Sequence, residues 1–404
     1  MDTFRMAWRN VWRNKRRSVV TVSAMSLALL VMILYTSLVD GYIKQMERNL
    51  LDLELGEVQI FAEDYRDSPS IYKRIKDTQK LIERLKAQGL KATARLLASG
   101  LAAGGDSSAG VSFIGVDVKQ DRAVSLIYKN VMDGKWLDPA EPGGVVIGRR
   151  LAKNLNVKPG DDLVVLSQGA DGSMANELYK VRGILRGITD SVDRTGVFMT
   201  ADAFRELMVV SEGTHQIIIR KPDEMPLNDA LLKVREIAPG QDVKTWRQIV
   251  PTLASMMDSV QSVMFVMFMI VYFAIAIVIL NAMLMAVFER IREFGIMKAL
   301  GVGPGAVLRL ILAEAAIQTV LAVFIGCALS IPGLWYLTEV GINLMSLGGI
   351  TIHGLAWDPI WRASVSAQSY TGPVITLVVI VMLAVLYPAV KAAMIVPVRA
   401  IYHR

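Results

Sequence analysis

The sequence predicts a membrane protein of four transmembrane α-helices, with a large extracytoplasmic α+β domain between spans 1 and 2. Three observations predict it. The chain is 53% hydrophobic with mean hydropathy +0.41, too apolar for an ordinary soluble protein, yet 20% charged, too polar for one held wholly in lipid. It contains long uncharged runs, each near or above the roughly 20 residues that cross a bilayer. Its charge is segregated: residues 41–258 hold 30 basic and 30 acidic residues, and the rest hold 14 basic and 7 acidic, so the whole net charge of +7 lies outside that block. Such placement marks basic flanks of membrane spans rather than a nucleic-acid surface.

In chain order, residues 1–17 (MDTFRMAWRNVWRNKRR) predict a cytoplasmic amphipathic elbow helix. Phe4, Trp8, Val11 and Trp12 share one face, and Arg5, Arg9, Arg13 and Arg16 another. A cleaved signal peptide also begins with a basic region, but no small-residue cleavage site ends the apolar run that follows. Ser18–Leu38 is uncharged and places span 1 at 18–40, with the basic cluster before it on the cytoplasmic side.

Residues 41–258 form the external domain. Gly56–Phe61, Val111–Asp117, Val145–Ile147, Val197–Thr200, Gln216–Arg220 and Asp242–Thr245 read as strands; Ser70–Gln88, Arg149–Asn156, Ala201–Met208 and Asn228–Ile237 read as helices. Asp162–Leu166 and Leu178–Leu185 pair as a hairpin joined by SQGADGSMANE. Span 2 is placed at 259–288, span 3 at 306–338 and span 4 at 371–390, with an outer loop at 339–370 and a tail at 391–404. The outer loop carries one basic residue, Arg362, against 13 in the segments assigned to the cytoplasm.

No chemistry-bearing motif appears. There is no G-x-x-x-x-G-K-[ST] loop, no H-E-x-x-H and no G-x-S-x-G. His215, His353 and His403 are isolated, no metal set is evident, and the one cysteine, Cys327, lies in a predicted span. The chain is expected to be non-catalytic and to bind no cofactor.

The segment that stands out is 289–305, between spans 2 and 3. It is charged, carries an apolar stripe of Ile291, Phe294 and Met297, and ends at Gly301, Gly303, Pro304 and Gly305. Such a helix at the cytoplasmic face suits docking into a partner's groove; the plainer alternative is a turn that touches only headgroups. Glu314, about one turn inside span 3, is a functional candidate as an intramembrane carboxylate, or a partner of Arg309 or of a neighbouring chain.

E-R-x-R-E-F-G-I-M-K-A-L-G-V from Glu289 resembles the coupling-helix signature of FtsX-like permeases, in the MacB/LolC/LolE superfamily of ABC transporters. GKWLD from Gly134, GVVIGRRLAKNLNVKPGDD from Gly144, YKVRGIL from Tyr179 and VFMTADAF from Val197 are similar to the MacB-type periplasmic core. Tyr387-Pro388-Ala389 and the run Val396 to Ile401 resemble the closing pattern. The resemblance implies a multi-pass permease of the bacterial inner membrane, with both termini cytoplasmic and a periplasmic domain. It implies a dimer with a second copy or paralogue, and a cytoplasmic ABC ATPase that supplies ATP and Mg. MacB carries its ATPase at its own N-terminus, whereas this sequence opens on the elbow, so the ATPase is expected on another polypeptide. Glu289, Arg290, Arg292, Glu293, Phe294, Gly295, Ile296, Lys298, Ala299 and Gly301 would couple to it.

The LolC/LolE type implies extraction of lipoproteins from the membrane by mechanotransmission, and their transfer to a periplasmic lipoprotein carrier. MacB-like export of amphiphiles or peptides and an FtsX-like signalling scaffold are the alternatives. Exposing an acyl chain costs about 0.8 kcal/mol per CH₂, so extraction needs an apolar receiving surface. The methionine-rich second span offers one: Met264, Phe265, Met267 and Phe268, with Leu34 and Leu38 of span 1, are the candidates for an acyl-chain cavity amid membrane lipids, although lipid-facing or packing roles suit them equally. Gln168, Asp171 and Met174 of the hairpin are the candidate carrier contacts. Ser167–Glu177 is short and lacks the proline of the LolC hook, a departure from the pattern.

Overall fold

The computed structural model describes residues 3–343 and 360–396. His353 and the middle of the outer loop, and the tail from Pro397 with His403, lie outside the described residues. The described chain divides into a helical unit, residues 3–44, 257–343 and 360–396, and an α+β unit, residues 45–256.

Four helices are long and apolar enough to cross a membrane: Lys15–Leu55, Pro251–Glu289, Pro304–Glu339 and Ala367–Ala393. The first is α-helical to Leu50 and ends in a π-helical turn, Leu51–Leu55. In the helical unit, Met25, Leu29, Met32 and Ile33 repeat at helical spacing and pack with Tyr272, Ile275 and Ile279, with Leu310, Ile311 and Ala322, and with Leu377, Val381 and Val385. Small residues let backbones approach. A Cβ on Gly326 would stand 3.0 Å from the Ser26 carbonyl oxygen, and beside it the Ser26 hydroxyl donates to the Ala322 carbonyl at 3.1 Å. The Tyr272 hydroxyl donates to the Pro373 carbonyl at 2.8 Å, linking the second and fourth long helices.

At the other end of the first long helix, residues 361–364 cross it at Gly41. The Trp361 Nε1–H donates to the Leu38 carbonyl at 3.0 Å, and the Ser364 N–H to the Ser37 carbonyl at 2.8 Å. A Cβ on Gly41 would lie 2.0 Å from the Arg362 carbonyl oxygen, so only glycine allows the crossing.

The α+β unit is built on one ten-stranded sheet. Its strands are β1 (Val58–Phe61), β2 (Lys91–Gly104), β3 (Ser107–Val116), β4 (Val131–Gly134), β5 (Gly144–Ile147), β6 (Asp162–Gln168), β7 (Met174–Leu185), β8 (Gly196–Thr200), β9 (Gln216–Arg220) and β10 (Asp242–Thr245). The order is β10-β1-β9-β2-β3-β8-β5-β7-β4, and β6 pairs with both β2 and β7. β2 organises the sheet. One edge runs along β3 from Arg95 to Gly104; the other takes β9 at Lys91–Arg95 and β6 at Leu101–Ala103. Among the described residues three apolar clusters form, one around Phe113, Leu163, Val165 and Phe204, one around Ile60, Ile82, Leu85 and Ile217, and one around Trp136, Val146, Leu185 and Phe198.

Residues 51–55 are tied into this unit by charge. The Arg95–Asp121 pair, 3.2 Å apart, is buried, and Arg95 also donates to the Glu54 carbonyl. The Thr189 hydroxyl donates to Glu54 Oε2 at 2.7 Å, and Arg220 pairs with Asp52 and, at 3.3 Å, with Glu57.

His215 is structural. It is fully buried, its Nδ1 accepts from the Leu97 N–H at 3.0 Å, and its Nε2 stands 3.2 Å from the Ile71 carbonyl, where a neutral ring donates. Burial pushes its pKa down from 6.5 to about 4, helped by Arg74 and Arg205 and opposed by the bond to Ile71. The folded pKa is depressed, so the neutral ring's stabilisation is complete above pH 6.5 and is lost as pH falls towards 4. The loss is on the order of 3 kcal/mol. Thermal unfolding followed from pH 7 to 4 should drop more steeply for the wild type than for His215→Gln; parallel curves would contradict this. Gly41→Val should lower stability by about 1–3 kcal/mol through overpacking, read as a fall in unfolding midpoint of the detergent-solubilised chain.

Candidate coupling site

The segment between the second and third long helices is a short helix, Ile291–Ala299. It begins where Arg290 leaves helical geometry (φ −112°, ψ 16°) and closes at Gly301, whose φ of +91° suits a glycine C-terminal cap. The Val302 N–H returns to the Met297 carbonyl at 3.1 Å to complete that cap.

Three other elements hold this helix. The first is the amphipathic helix Thr3–Arg13, which buries Ala7 and Val11 in the helical core and sends the Asn10 amide to Glu314 at 2.5 Å. Its Arg13 donates to both Glu293 carboxylate oxygens, at 2.8 and 2.9 Å. The second is the start of the first long helix, where Arg17 meets Glu289 at 2.5 Å. The third is the end of the fourth: Lys298 Nζ donates to the carbonyls of Ala393 and Ile395 at 2.8 and 2.7 Å, a cation satisfying a helix C-terminus.

Arg290 stands at the centre. Its guanidinium donates to Glu314 at 2.8 and 3.2 Å and to Glu293 at 3.1 Å, and it lies 5.4 Å from the Phe294 ring centroid. The Arg290 and Glu314 side chains are each 9% exposed. Partial burial opposes the charge of Glu293, but Arg13 and Arg290 outweigh it and hold the carboxyl below the usual carboxylate range.

This geometry corrects two expectations. The stripe Ile291, Phe294 and Met297 does not face outward: Phe294 is 1% exposed, Met297 packs on the same core, and Ile291 is half-buried. Gly295 is buried as well. The ion pairs of Arg290 and the carbonyl contacts of Lys298 fix the roll of the helix, and that roll turns Phe294 inward. What remains outside is Ile296, Ala299, Leu300 and Gly301 with the exposed charges of Glu289, Arg292 and Glu293, and Leu300 is 81% exposed. Glu289, Arg290, Glu293 and Lys298 spend their charge within the chain. Arg292 has no acidic partner among the described residues. Glu314 pairs with Arg290 rather than with Arg309, whose Nε donates to Gly305 of its own helix. Asn10, Arg13 and Arg17 were missed as site residues; the signal for them was a polar face on a helix followed by an intramembrane acid.

The six acyl-chain candidates do not share one surface. Leu34 lies against Gly333, and Phe268 packs edge-on to Tyr35 and Tyr272. Met264 is buried, Leu38 is half-buried, and Phe265 and Met267 are exposed. On one helix, positions 264 and 268 point inward together while 265 and 267 point elsewhere. In the α+β unit, Gln168 and Met174 sit opposite each other in the β6–β7 register, and Asp171 accepts from the Ser173 hydroxyl and N–H at 2.6 and 3.0 Å. The strands extend beyond the expected hairpin, leaving only residues 169–173 as its tip, with Met174 beside it 77% exposed.

Residues 18–237 match the family described as MacB-like periplasmic core domain, and residues 265–397 match FtsX-like permease C-terminal. A lipoprotein-releasing system transmembrane protein LolC from Xylella fastidiosa (strain 9a5c) is 22% identical over 302 residues, 72% of each chain. Its counterpart from strain Temecula1 / ATCC 700964 is 23% identical over 300 residues, again 72% of each. The crystal structure of the periplasmic region of MacB from Actinobacillus actinomycetemcomitans aligns at TM-score 0.37 and 12% identity, covering 52% of this chain and 98% of that one.

Removing one partner of a buried ion pair costs about 3–5 kcal/mol, because the other is left charged and unpaired. Arg290→Leu should therefore destabilise the chain by about that much. Adding Glu314→Leu should restore most of the loss, measured as a double-mutant cycle on thermal unfolding. Additive losses would show that the pair is not coupled.

Proposed function

Since this chain belongs to the ABC transporter permeases that join an FtsX-like membrane part to a MacB-like periplasmic core, we propose that it is the non-catalytic subunit coupling a separate cytoplasmic ATPase to lipoprotein extraction at the periplasmic face. The observation that carries the coupling reading is the orientation of helix Ile291–Ala299: Arg290 and Lys298 are bonded inward, Glu289 and Glu293 are paired to Arg17 and Arg13 at the exposed rim, and an apolar patch of Ile296 and Leu300 beside Arg292 is left outside. An exposed patch of this kind suits a groove on the ATPase. A push there is delivered through Arg13–Glu293 to the amphipathic helix, and through Arg17–Glu289 and Arg290–Glu314 to the first and third long helices. The account has both termini cytoplasmic, a dimer with a second copy or paralogue, and ATP and Mg held by the partner. Lipoprotein as the client rests on the similarity to the LolC proteins, whose printed name is a lipoprotein-releasing system.

A second reading draws on the short hairpin tip. Five residues between β6 and β7 offer little reach for recruiting a carrier by a hook. MacB-like export or an FtsX-like signalling role needs no such hook.

The purified chain should hydrolyse no ATP. Leu300→Glu or Arg292→Glu should weaken ATPase retention about 30-fold, the effect of losing a central contact worth about 2 kcal/mol, with little change in thermal stability. Phe294→Ala should instead lower stability. With the partner ATPase and ATP in proteoliposomes, release of an acylated lipoprotein is expected; no release of any acylated client would sink the lipoprotein reading and leave the second.

A further inference from the structure

We propose that the amphipathic helix Thr3–Arg13 is a receptor for anionic lipid headgroups, and that its occupancy sets the position of the coupling helix. The lipid contact stands on the geometry below; its consequence for transport rests on the coupling reading given above.

The helix presents three stripes. Ala7, Asn10 and Val11 face protein, with Asn10 bonded to Glu314. Phe4, Trp8 and Trp12 repeat every four residues and are all exposed, with the two indoles 6.0 Å apart. Arg5, Arg9 and Arg13 follow them by one position each, so a basic stripe runs beside the aromatic one. Exposed Lys15 and Arg16 extend the charge. Arg5, Arg9, Lys15 and Arg16 have no acidic partner among the described residues.

An exposed aromatic stripe beside a basic stripe, in which only Arg13 has an acidic partner among the described residues, is complementary to one surface, a bilayer face bearing negative headgroups. An acidic soluble protein would match the arginines but leave three large aromatic side chains in water. The helix is also tied to the coupling segment. Arg13, last of the basic stripe, holds Glu293, and Asn10 shares Glu314 with Arg290. Headgroups that hold the helix down therefore hold the outward patch of the coupling helix in one orientation. A neutral bilayer retains the aromatic contact but loses the electrostatic one.

The test uses the full chain in nanodiscs, without ATPase, in phosphatidylcholine alone or with about one third phosphatidylglycerol. Hydrogen exchange is read over residues 3–16 and 289–300. Anionic lipid should slow exchange at least about fivefold in both segments, and high salt should reverse much of this. R5E/R9E/R16E should abolish the lipid response, and R5K/R9K/R16K should retain it. The wild-type lipid comparison stands even where a variant fails to insert. Equal exchange in the two bilayers overturns the proposal; protection of 3–16 without any change at 289–300 overturns its link to the coupling helix. Added acidic protein protecting 3–16 in the neutral bilayer, with phosphatidylglycerol having no effect, also overturns it. Because no ATPase is present, these outcomes leave the coupling reading to its own tests.

Discussion

The helical unit depends on one buried ion pair. Arg290 and Glu314 are both largely withdrawn from water, and neither charge is tolerable there without the other. Satisfying them requires Asn10 from the amphipathic helix and Glu293 from the next turn, and Glu293 in turn takes Arg13. A single electrostatic requirement thus joins three chain segments: the amphipathic helix, the coupling helix with its flank, and the third long helix. It also sets the roll of the coupling helix, and so decides which of its two apolar stripes is hidden. Such a network resists gradual deformation, because a half-satisfied buried charge is costly.

The first long helix is held at both ends of the helical unit. Arg17 meets Glu289 at one end, and residues 361–364 cross at Gly41 at the other, where Asp40 also accepts from the Ser369 hydroxyl at 3.3 Å. Within the α+β unit, residues 51–55 form a π-helical turn whose carbonyls and carboxylates are taken by Arg95, Thr189, Ser125 and Arg220.

Much of this was legible in the sequence. The spans were plain because an uncharged run of that length has one use, and the 289–305 segment was plain because charge and glycine interrupt such runs. The orientation of the short helix was not. Phe294 and Ile296 both lie at helical spacing with apolar neighbours, and periodicity cannot say which stripe is inward; the distant polar groups of Asn10, Arg13 and Glu314 decide it. Strand β2 was missed outright. KATARLLASGLAAG lacks β-branched residues beyond Thr93 and shows no clean alternation. Its small residues are a consequence of crowding: a Cβ on Gly100 would lie 2.4 Å from the Leu166 carbonyl oxygen, and one on Gly104 would lie 2.4 Å from Val157. The six acyl-chain candidates divide between buried and exposed positions for a related reason, since a helix apolar all round gives no sign of which residues converge.

The central claim is that energy enters through the outward stripe of helix Ile291–Ala299 and its cap. A photo-crosslinking residue placed singly at 294, 296 and 300 in the assembled transporter tests it most directly. Crosslinks to the ATPase from 296 and 300, and crosslinks from 294 only within the permease, are the predicted result. ATPase crosslinks from 294, or none from 300, would contradict the account.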